Sequence, residues 1–169
     1  MISTDSALTR DAFTISTDSA RFDMAVIHGF LTRSYWAQGI DEPTVRRALE
    51  NSLCFGVFHG ERQIGFARVV TDRATFAYLA DVFIIDEFRS RGLAKWLMEV
   101  ISAHADLQHL RRWLLATRDA HELYRQYGFA ALSSPARFME RYDANAYQPA
   151  PAGTEAQERS EIGLTGESR

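Results

Sequence analysis

The stretch FIIDEFRSRGLAKWLMEV at residues 83–100 determines how we interpret the rest of the chain. In it, an apolar segment runs into a short basic turn, and Gly92 stands where an amphipathic pattern begins. The apolar residues that follow recur at helical spacing, which predicts a helix over residues 91–104 with one buried face. The turn therefore opens a helix, where bare backbone N–H groups and the positive end of the helix dipole favour an anion.

The basic turn has further features that suit a phosphate. Arg89, Arg91 and Lys95 add positive charge, and Gly92 has no Cβ to hold a ligand away from the backbone. The chain contains neither G-x-x-x-x-G-K-[ST] nor G-x-G-x-x-G, which argues against a P-loop and against a dinucleotide site. From the turn alone, an ordinary solvated helix start is an equal alternative.

Hydrophobic periodicity predicts the elements on both sides of the turn. They are a first strand after Phe13, helices over 23–34 and from Pro43 to Asn51, strands over 53–60, 63–72 and 75–85, a strand at 111–117, a helix at 119–129 and a strand pair around 130–142. Asp119 is predicted to cap the last helix and Gly128 to end it. The expected fold is a mixed α/β sheet with helices on both faces, in the order β-α-α-β-β-β-α-β-α-β, with the unit 76–117 parallel.

Length and composition predict a single domain. Its expected limits are residues 1–142, with 1–10 loose, followed by a polar and mobile tail at 143–169. The tail has five acidic and two basic residues, which accounts for the net charge of −3 and leaves the body of the domain balanced. Bulk electrostatic binding to nucleic acid is therefore not expected.

Other classes of site are disfavoured by what the chain lacks. It has no apolar run of the ~20 residues needed to span a membrane and no pattern of a secretory signal, so a cytoplasmic location is expected. Cys54 is the only cysteine and stands in an apolar strand, where an inert core thiol is expected. None of the five histidines has the spacing of metal ligands, and we expect no metal.

Three segments together carry a resemblance to a known family. RSRGLA at 89–94 matches the acyl-CoA signature (Q/R)-x-x-G-x-(G/A), it follows the strand YLADVFI at 78–84, and AHELYRQYGF at 120–129 resembles a second motif. Over residues 11–142 the chain thus resembles the GNAT superfamily of N-acetyltransferases, which implies the GNAT acyl-CoA N-acyltransferase fold and acetyl-CoA as acyl donor. The resemblance implies that the pantetheine arm pairs with the central strand at Val82, Phe83 and Ile84. It also implies that the pyrophosphate is held by backbone N–H groups of the turn, namely Arg89, Ser90, Arg91, Gly92, Leu93, Ala94 and Lys95.

The same resemblance implies catalytic roles for two side chains. Tyr124 matches the tyrosine that protonates the departing coenzyme A thiolate, and Tyr127, on the same helix face, is the alternative. Asp81 lies where a carboxylate often serves as the base, usually through water. Because aspartate is short, Asp81 either works through a water relay or only positions the acceptor.

The acceptor implied by the resemblance is a primary amine of a small molecule or peptide, attacked directly in a ternary complex. We expect Tyr35, Trp36, Asp72 and Tyr78 to border its pocket, with the aromatic rings available to stack on a cation or an apolar group. Members of this superfamily often dimerise, so a homodimer is an option. The alternatives are a non-catalytic acyl-CoA-binding module of the same fold and a methyltransferase-like protein. The lack of a glycine-rich first turn argues against the second of these.

Overall fold

A six-stranded mixed sheet forms the centre of the molecule in the computed structural model, which describes residues 7–148. The strands are β1 (Leu8–Arg10), β2 (Phe13–Ser16), β3 (Leu53–His59), β4 (Arg62–Thr71), β5 (Phe76–Ile84) and β6 (Arg112–Leu115). The helices are α1 (Met24–Leu31), α2 (Glu42–Glu50), α3 (Leu93–Ala103) and α4 (His121–Arg125). The strands lie in sequence order, and β5 with β6 is the parallel pair. The expected α/β class is confirmed.

Helices cover both faces of the sheet, as expected. Side chains alternate along a strand, so neighbouring residues of β3 enter different cores. Phe55 packs in the cluster that includes α3, whereas Cys54 packs with residues of α1 and α2. Among residues 7–148, no helix has the length and apolar character needed to cross a membrane.

Side-chain caps fix the first turns of α1 and α2. Asp23 accepts hydrogen bonds from the N–H groups of Ala25 and Val26 and so starts α1. Asp41 accepts one from Thr44 and starts α2, with Pro43 in the first turn. The loop between the two helices is held by hydrogen bonds of its own, from the Ser34 hydroxyl to the Leu31 carbonyl over 2.7 Å and from the Gly39 N–H to the Thr32 carbonyl over 3.0 Å, and it holds two of the aromatic residues expected near the acceptor.

An irregularity in β5 shapes the centre of the sheet. Phe83 pairs with Phe66 and Ala80 with Arg68, so two residues of β5 oppose one residue of β4. Asp81, one of these two residues, has a positive φ of 56°, which Asp tolerates better than most residues. A bulge of this kind bends a strand and redirects its side chains.

Two local expectations were wrong. Residues 8–10 form β1 in a tight hairpin with β2, with Asp11 at a positive φ, so this part of the N-terminus is not loose. Asp119 does not cap α4: the cap residue is Ala120, whose N–H donates to the Thr117 hydroxyl. Gly128 does follow the helix at a positive φ of 84°, as a terminating glycine does.

The strand pair expected around residues 130–142 is absent, and this expectation was also wrong. Pro135 lacks an N–H donor and begins a 3₁₀ turn over Pro135–Arg137, the regular element found in that segment. Within residues 7–148, β6 is therefore an edge strand. A cavity of about 620 Å³ lies between β6, α4 and residues 128–132.

The start of the expected tail is ordered. Residues 143–148 form a turn in which the Asp143 carboxylate accepts from the N–H of Asn145. Tyr147, in the same turn, lines a second cavity described below. The remainder of the tail and the first residues of the chain lie outside the described residues.

Candidate active site

The central cleft arises where β5 and β6 part. The two strands pair from Phe76 with Arg112 to Leu79 with Leu115, and β5 then continues to Ile84 without β6. Among the described residues, the edge of β5 at 80–84 thus has no strand partner on that side. A cavity of about 720 Å³ opens there and is lined by residues 78–82 and 116–120, by the loop between α1 and α2, and by Tyr124.

The basic turn follows β5 directly and has the backbone shape of an anion site. Ser90 and Gly92 both have positive φ, 61° and 76°, with Gly92 as the residue before α3. The first helical hydrogen bond is donated by the N–H of Trp96 to the Gly92 carbonyl, 3.0 Å away, so the preceding N–H groups at 93–95 have no helical acceptor. A Cβ built on Gly92 would have no atom within 4 Å. The turn therefore offers free donors facing open space.

The basic side chains of the turn differ in their freedom. The Arg89 side chain is engaged by residues that precede it in the chain. Its Nε donates to the Ile84 carbonyl over 3.0 Å, and its Nη2 lies 2.9 Å from the Asp86 carboxylate. Arg91 lies over the Phe88 ring, 5.2 Å from the ring centroid. Lys95 has no ion-pair partner among residues 7–148. Lys95 is thus the more available charge in this turn.

Asp81 lies on the cavity wall and both of its oxygens accept hydrogen bonds. Trp36 Nε1 donates to Oδ1 over 3.1 Å, and Arg68 Nε donates to Oδ2 over 2.7 Å. Arg68 also reaches the Ser52 hydroxyl at 3.3 Å. The carboxylate is therefore fixed between a loop and a neighbouring strand, and each oxygen retains a lone pair for a further donor.

The two candidate tyrosines of α4 have different surroundings. Tyr124 is buried at the cavity, its hydroxyl has no hydrogen-bond partner within residues 7–148, and burial, with smaller contributions from Tyr35 and Asp119, raises its pKa to about 12. Tyr127 donates its hydroxyl hydrogen to the Lys95 carbonyl over 2.7 Å. Tyr127 thereby ties α4 to the start of α3, whereas Tyr124 lines the cavity and its hydroxyl has no hydrogen-bond partner among the described residues.

The acceptor residues expected from the sequence fall into two groups. Tyr35, Trp36 and Tyr78 line the same cavity as Asp81 and Tyr124. The structure does not bring Asp72 there. Its carboxylate accepts from the N–H groups of residues 74–76 and from the Thr75 hydroxyl, and these hydrogen bonds lower its pKa. Asp72 thus organises the turn between β4 and β5.

Three residues of the cavity were missed by the sequence analysis. Arg68 had a visible signal, since it is a charged residue in the otherwise apolar segment QIGFARVV. Arg118 and Tyr147 had none. Arg118 places its guanidinium 4.0 Å from the centroid of the Tyr35 ring, and its N–H donates to the Tyr35 hydroxyl over 3.1 Å. Such contacts join residues far apart in the chain, which local patterns do not reveal.

Comparisons with known proteins identify the family of the chain. A family model described as Acetyltransferase (GNAT) family matches residues 22–129. A Gibberella zeae protein named "Putative acetyltransferase FG08082" is 29% identical over 137 residues, which is 69% of this chain and 77% of that protein.

Solved structures show the same fold. The crystal structure of a GNAT-family protein from Xanthomonas campestris pv. campestris has a TM-score of 0.79 and 48% identity, covering 81% of this chain and 97% of that one. A GNAT-family acetyltransferase from Elizabethkingia anophelis, solved with acetyl-CoA bound, has a TM-score of 0.56 at 14% identity, covering 72% and 78%. The family model spans more than half of the chain, from before α1 to the end of the turn after α4. The chain therefore belongs to the GNAT family and is an acyltransferase enzyme.

Proposed function

We propose that this enzyme transfers the acetyl group of acetyl-CoA to a primary amine by direct attack within a ternary complex. The observation that carries the proposal is the free edge of β5 at 80–84, which runs into the turn at 89–95. A strand edge suits an extended chain of amide groups, and N–H groups of a turn suit phosphates. The two features follow each other along the chain as the pantetheine arm and the pyrophosphate do in acetyl-CoA.

Donor binding is assigned to backbone groups more than to side chains. Val82, Phe83 and Ile84 supply the edge for the pantetheine arm, and the N–H groups from Arg89 to Lys95 supply the phosphate site. The open space beside Gly92 supports this assignment, because a side chain there would occupy the room that a phosphate needs. The Elizabethkingia neighbour, which shares the fold, was solved with acetyl-CoA bound, and this also supports acetyl-CoA as the donor.

Tyr124 is our candidate for the acid that protonates the departing thiolate. Tyr124 lines the cavity, its hydroxyl has no partner in the described chain, and its raised pKa keeps the proton on the oxygen at neutral pH. Tyr127 is a weaker candidate because its hydroxyl is engaged with the Lys95 carbonyl. An N–H of the β5 edge is available as donor to the oxyanion of the intermediate.

Asp81 is our candidate to take the proton of the attacking amine through a water molecule. Asp81 lies in the bulge of β5, lines the cavity, and has its carboxylate held by Trp36 and Arg68. The remaining lone pairs of its oxygens are available to a water or to the ammonium itself. The ion pair with Arg68 holds the Asp81 carboxylate in one orientation, so its position relative to the acceptor is fixed.

The experiment that tests the proposal is calorimetric titration of the protein with acetyl-CoA, followed by an assay of coenzyme A release in the presence of amines. We expect micromolar binding that Gly92→Glu abolishes, because the new carboxylate enters the phosphate site. Gly60→Glu is the matched control. Gly60 also has a positive φ, 59°, and open space at its Cβ, but it lies in the hairpin between β3 and β4.

Each outcome is informative. Retained binding in Gly60→Glu with loss in Gly92→Glu supports the donor site independently of any strain at a positive φ. No binding by the unaltered protein contradicts the proposed donor. Binding of acetyl-CoA without transfer to any amine supports a non-catalytic module of the same fold instead.

A further inference from the structure

The cavity beside the free edge of β5 has an aromatic lining drawn from separate parts of the chain. Tyr35 and Trp36 come from the loop between α1 and α2, Tyr78 from β5, and Tyr147 from the turn at 143–148. Tyr35 and Trp36 meet edge to face, with ring centroids 4.9 Å apart. Aromatic faces of this kind attract flat apolar groups and organic cations.

The charged side chains that line the cavity are paired with one another. Arg68 and Asp81 form an ion pair at 2.7 Å, with only 18% and 10% of their side chains exposed. Arg118 lies 3.9 Å from Asp119 and stacks on the Tyr35 ring. Within the described lining, no carboxylate or guanidinium is therefore left without an opposite charge. A second charge on the substrate would therefore meet no unpaired buried charge in this lining, since Arg118 and Asp119 are 67% and 70% exposed and keep their water.

The turn at 143–148 belongs to the wall of this cavity. Gly39, with φ of 82°, allows it to approach: a Cβ at Gly39 would lie 3.3 Å from the Tyr147 carbonyl oxygen. Tyr147 is 41% exposed and lines the cavity, whereas Tyr142 is 79% exposed and does not. The C-terminal turn thus contributes one tyrosine to the site and leaves another in solvent.

From these observations we infer that the acceptor is a small primary amine joined to a flat, uncharged and preferably aromatic body, and that Tyr147 helps to select it. The inference rests on the proposed function. The aromatic faces hold the body of the acceptor and stabilise its ammonium before the proton is lost. Asp81, at the inner wall, is then close to the reacting nitrogen.

The test compares a singly charged aromatic amine with amines that carry further charged groups, by measuring coenzyme A release. Phenethylamine is set against phenylalanine, which adds a carboxylate, against spermidine, which adds ammonium groups, and against glucosamine 6-phosphate, which adds a phosphate. We expect kcat/KM for phenethylamine to exceed that of each charged acceptor by at least ~10-fold. Calorimetric titration of phenethylamine into protein saturated with free coenzyme A gives a second readout without turnover.

Two variants of the same turn test the role of Tyr147. Tyr147→Ala should raise KM for phenethylamine by about 5-fold, since one aromatic contact is lost, and should leave acetyl-CoA binding unchanged. Tyr142→Ala is the matched control and should change neither quantity. Equal effects of the two substitutions would overturn the role of Tyr147.

The remaining outcomes separate this inference from the proposed function. A preference for phenylalanine, spermidine or the sugar phosphate overturns the inference and leaves the acetyltransferase proposal standing. Binding of acetyl-CoA with no transfer to phenethylamine overturns it too and leaves the donor site standing. Failure to bind acetyl-CoA at all contradicts the proposed function on which the inference rests.

Discussion

The guanidinium of Arg68 on β4 lies 2.7 Å from the carboxylate of Asp81 on β5, at the bulge that interrupts the pairing of these two strands. Both side chains are largely shielded from water, so removal of one partner leaves the other charge poorly solvated. We expect Arg68→Met to lower the free energy of unfolding by about 3 kcal/mol. Urea denaturation followed by circular dichroism measures this change.

The double variant Arg68→Met/Asp81→Asn distinguishes a broken ion pair from lost packing. Asn tolerates the positive φ of residue 81 and carries no charge, so Asp81→Asn removes the carboxylate that Arg68→Met leaves unpaired and adds no backbone strain. The double variant should therefore be more stable than the sum of the two single changes predicts. Strict additivity would show that the two charges do not interact.

Tyr124→Phe should lower kcat by about 100-fold, since it removes the hydroxyl that we assign to the thiolate. Acetyl-CoA affinity and stability should change little, because this hydroxyl has no partner within the described chain. Tyr127→Phe serves as the control: it removes the bond to the Lys95 carbonyl, so it should cost about 1 kcal/mol of stability and spare kcat. Stopped-flow or steady-state kinetics with calorimetry on both variants checks the contrast, and full turnover by Tyr124→Phe would refute the assignment.

Cys54 should be unreactive in the folded protein. Its thiol is buried beside the carbonyls of Leu49 and Ser52, and burial raises its pKa to about 12, so little thiolate forms at pH 8. We expect no reaction with Ellman's reagent until urea unfolds the chain, when one thiol should react. Rapid labelling of the native protein would mean that the segment around β3 opens readily.

His104 should make the fold sensitive to acid. The residue is 1% exposed, its Nδ1 accepts from the N–H of Asp106, and burial lowers its pKa below the ordinary 6.5. As the pH falls below about 6.5, the His104 imidazole is therefore protonated in the unfolded chain but stays neutral in the folded chain. The stability conferred by neutral His104 is present above pH 6.5 and is lost as the pH falls through the lower folded pKa.

Between pH 6.5 and the lower folded pKa of His104, the free energy of unfolding should fall by up to about 1.4 kcal/mol per pH unit because of this one residue. Urea denaturation at pH 7.5, 6 and 5 measures the loss, and His104→Gln should flatten it. His121→Gln is the control, because His121 is exposed and should leave the slope as it is. An equally steep loss in His104→Gln would assign the acid sensitivity to other groups.

The long elements were predictable because their burial is periodic. Each strand from β3 to β5 packs on two cores, and α3 has one buried face, so their patterns are strong. The strand β1 has only three residues and a turn at Asp11 and Ala12 without glycine or asparagine, which gives little local signal. No strand pair forms at 130–142, because Pro135 supplies no N–H to a strand ladder and begins a 3₁₀ turn.

The features of the proposed donor site can be found in the sequence, whereas most of those that form the acceptor cavity cannot. The donor features lie within one continuous stretch, from the end of β5 to the start of α3, so a single motif covers them. The acceptor cavity instead combines residues that are far apart in the chain. Tyr35 accepts a hydrogen bond from the N–H of Arg118, and the backbone of Tyr147 packs against Gly39. Contacts between such distant residues depend on the tertiary structure and leave no periodic trace.

The sequential order of the strands also has a consequence for folding. β4 pairs with β3 and β5 pairs with β4, each through a short connection, and loops of this length close at little entropic cost. The pairing of β6 with β5 must wait for the crossover through α3, and it spans only four residue pairs. Hydrogen exchange should therefore be slowest in β3 and β4 and faster in β6, so that the side of the cleft formed by β6 and α4 is the first to open and the last to assemble.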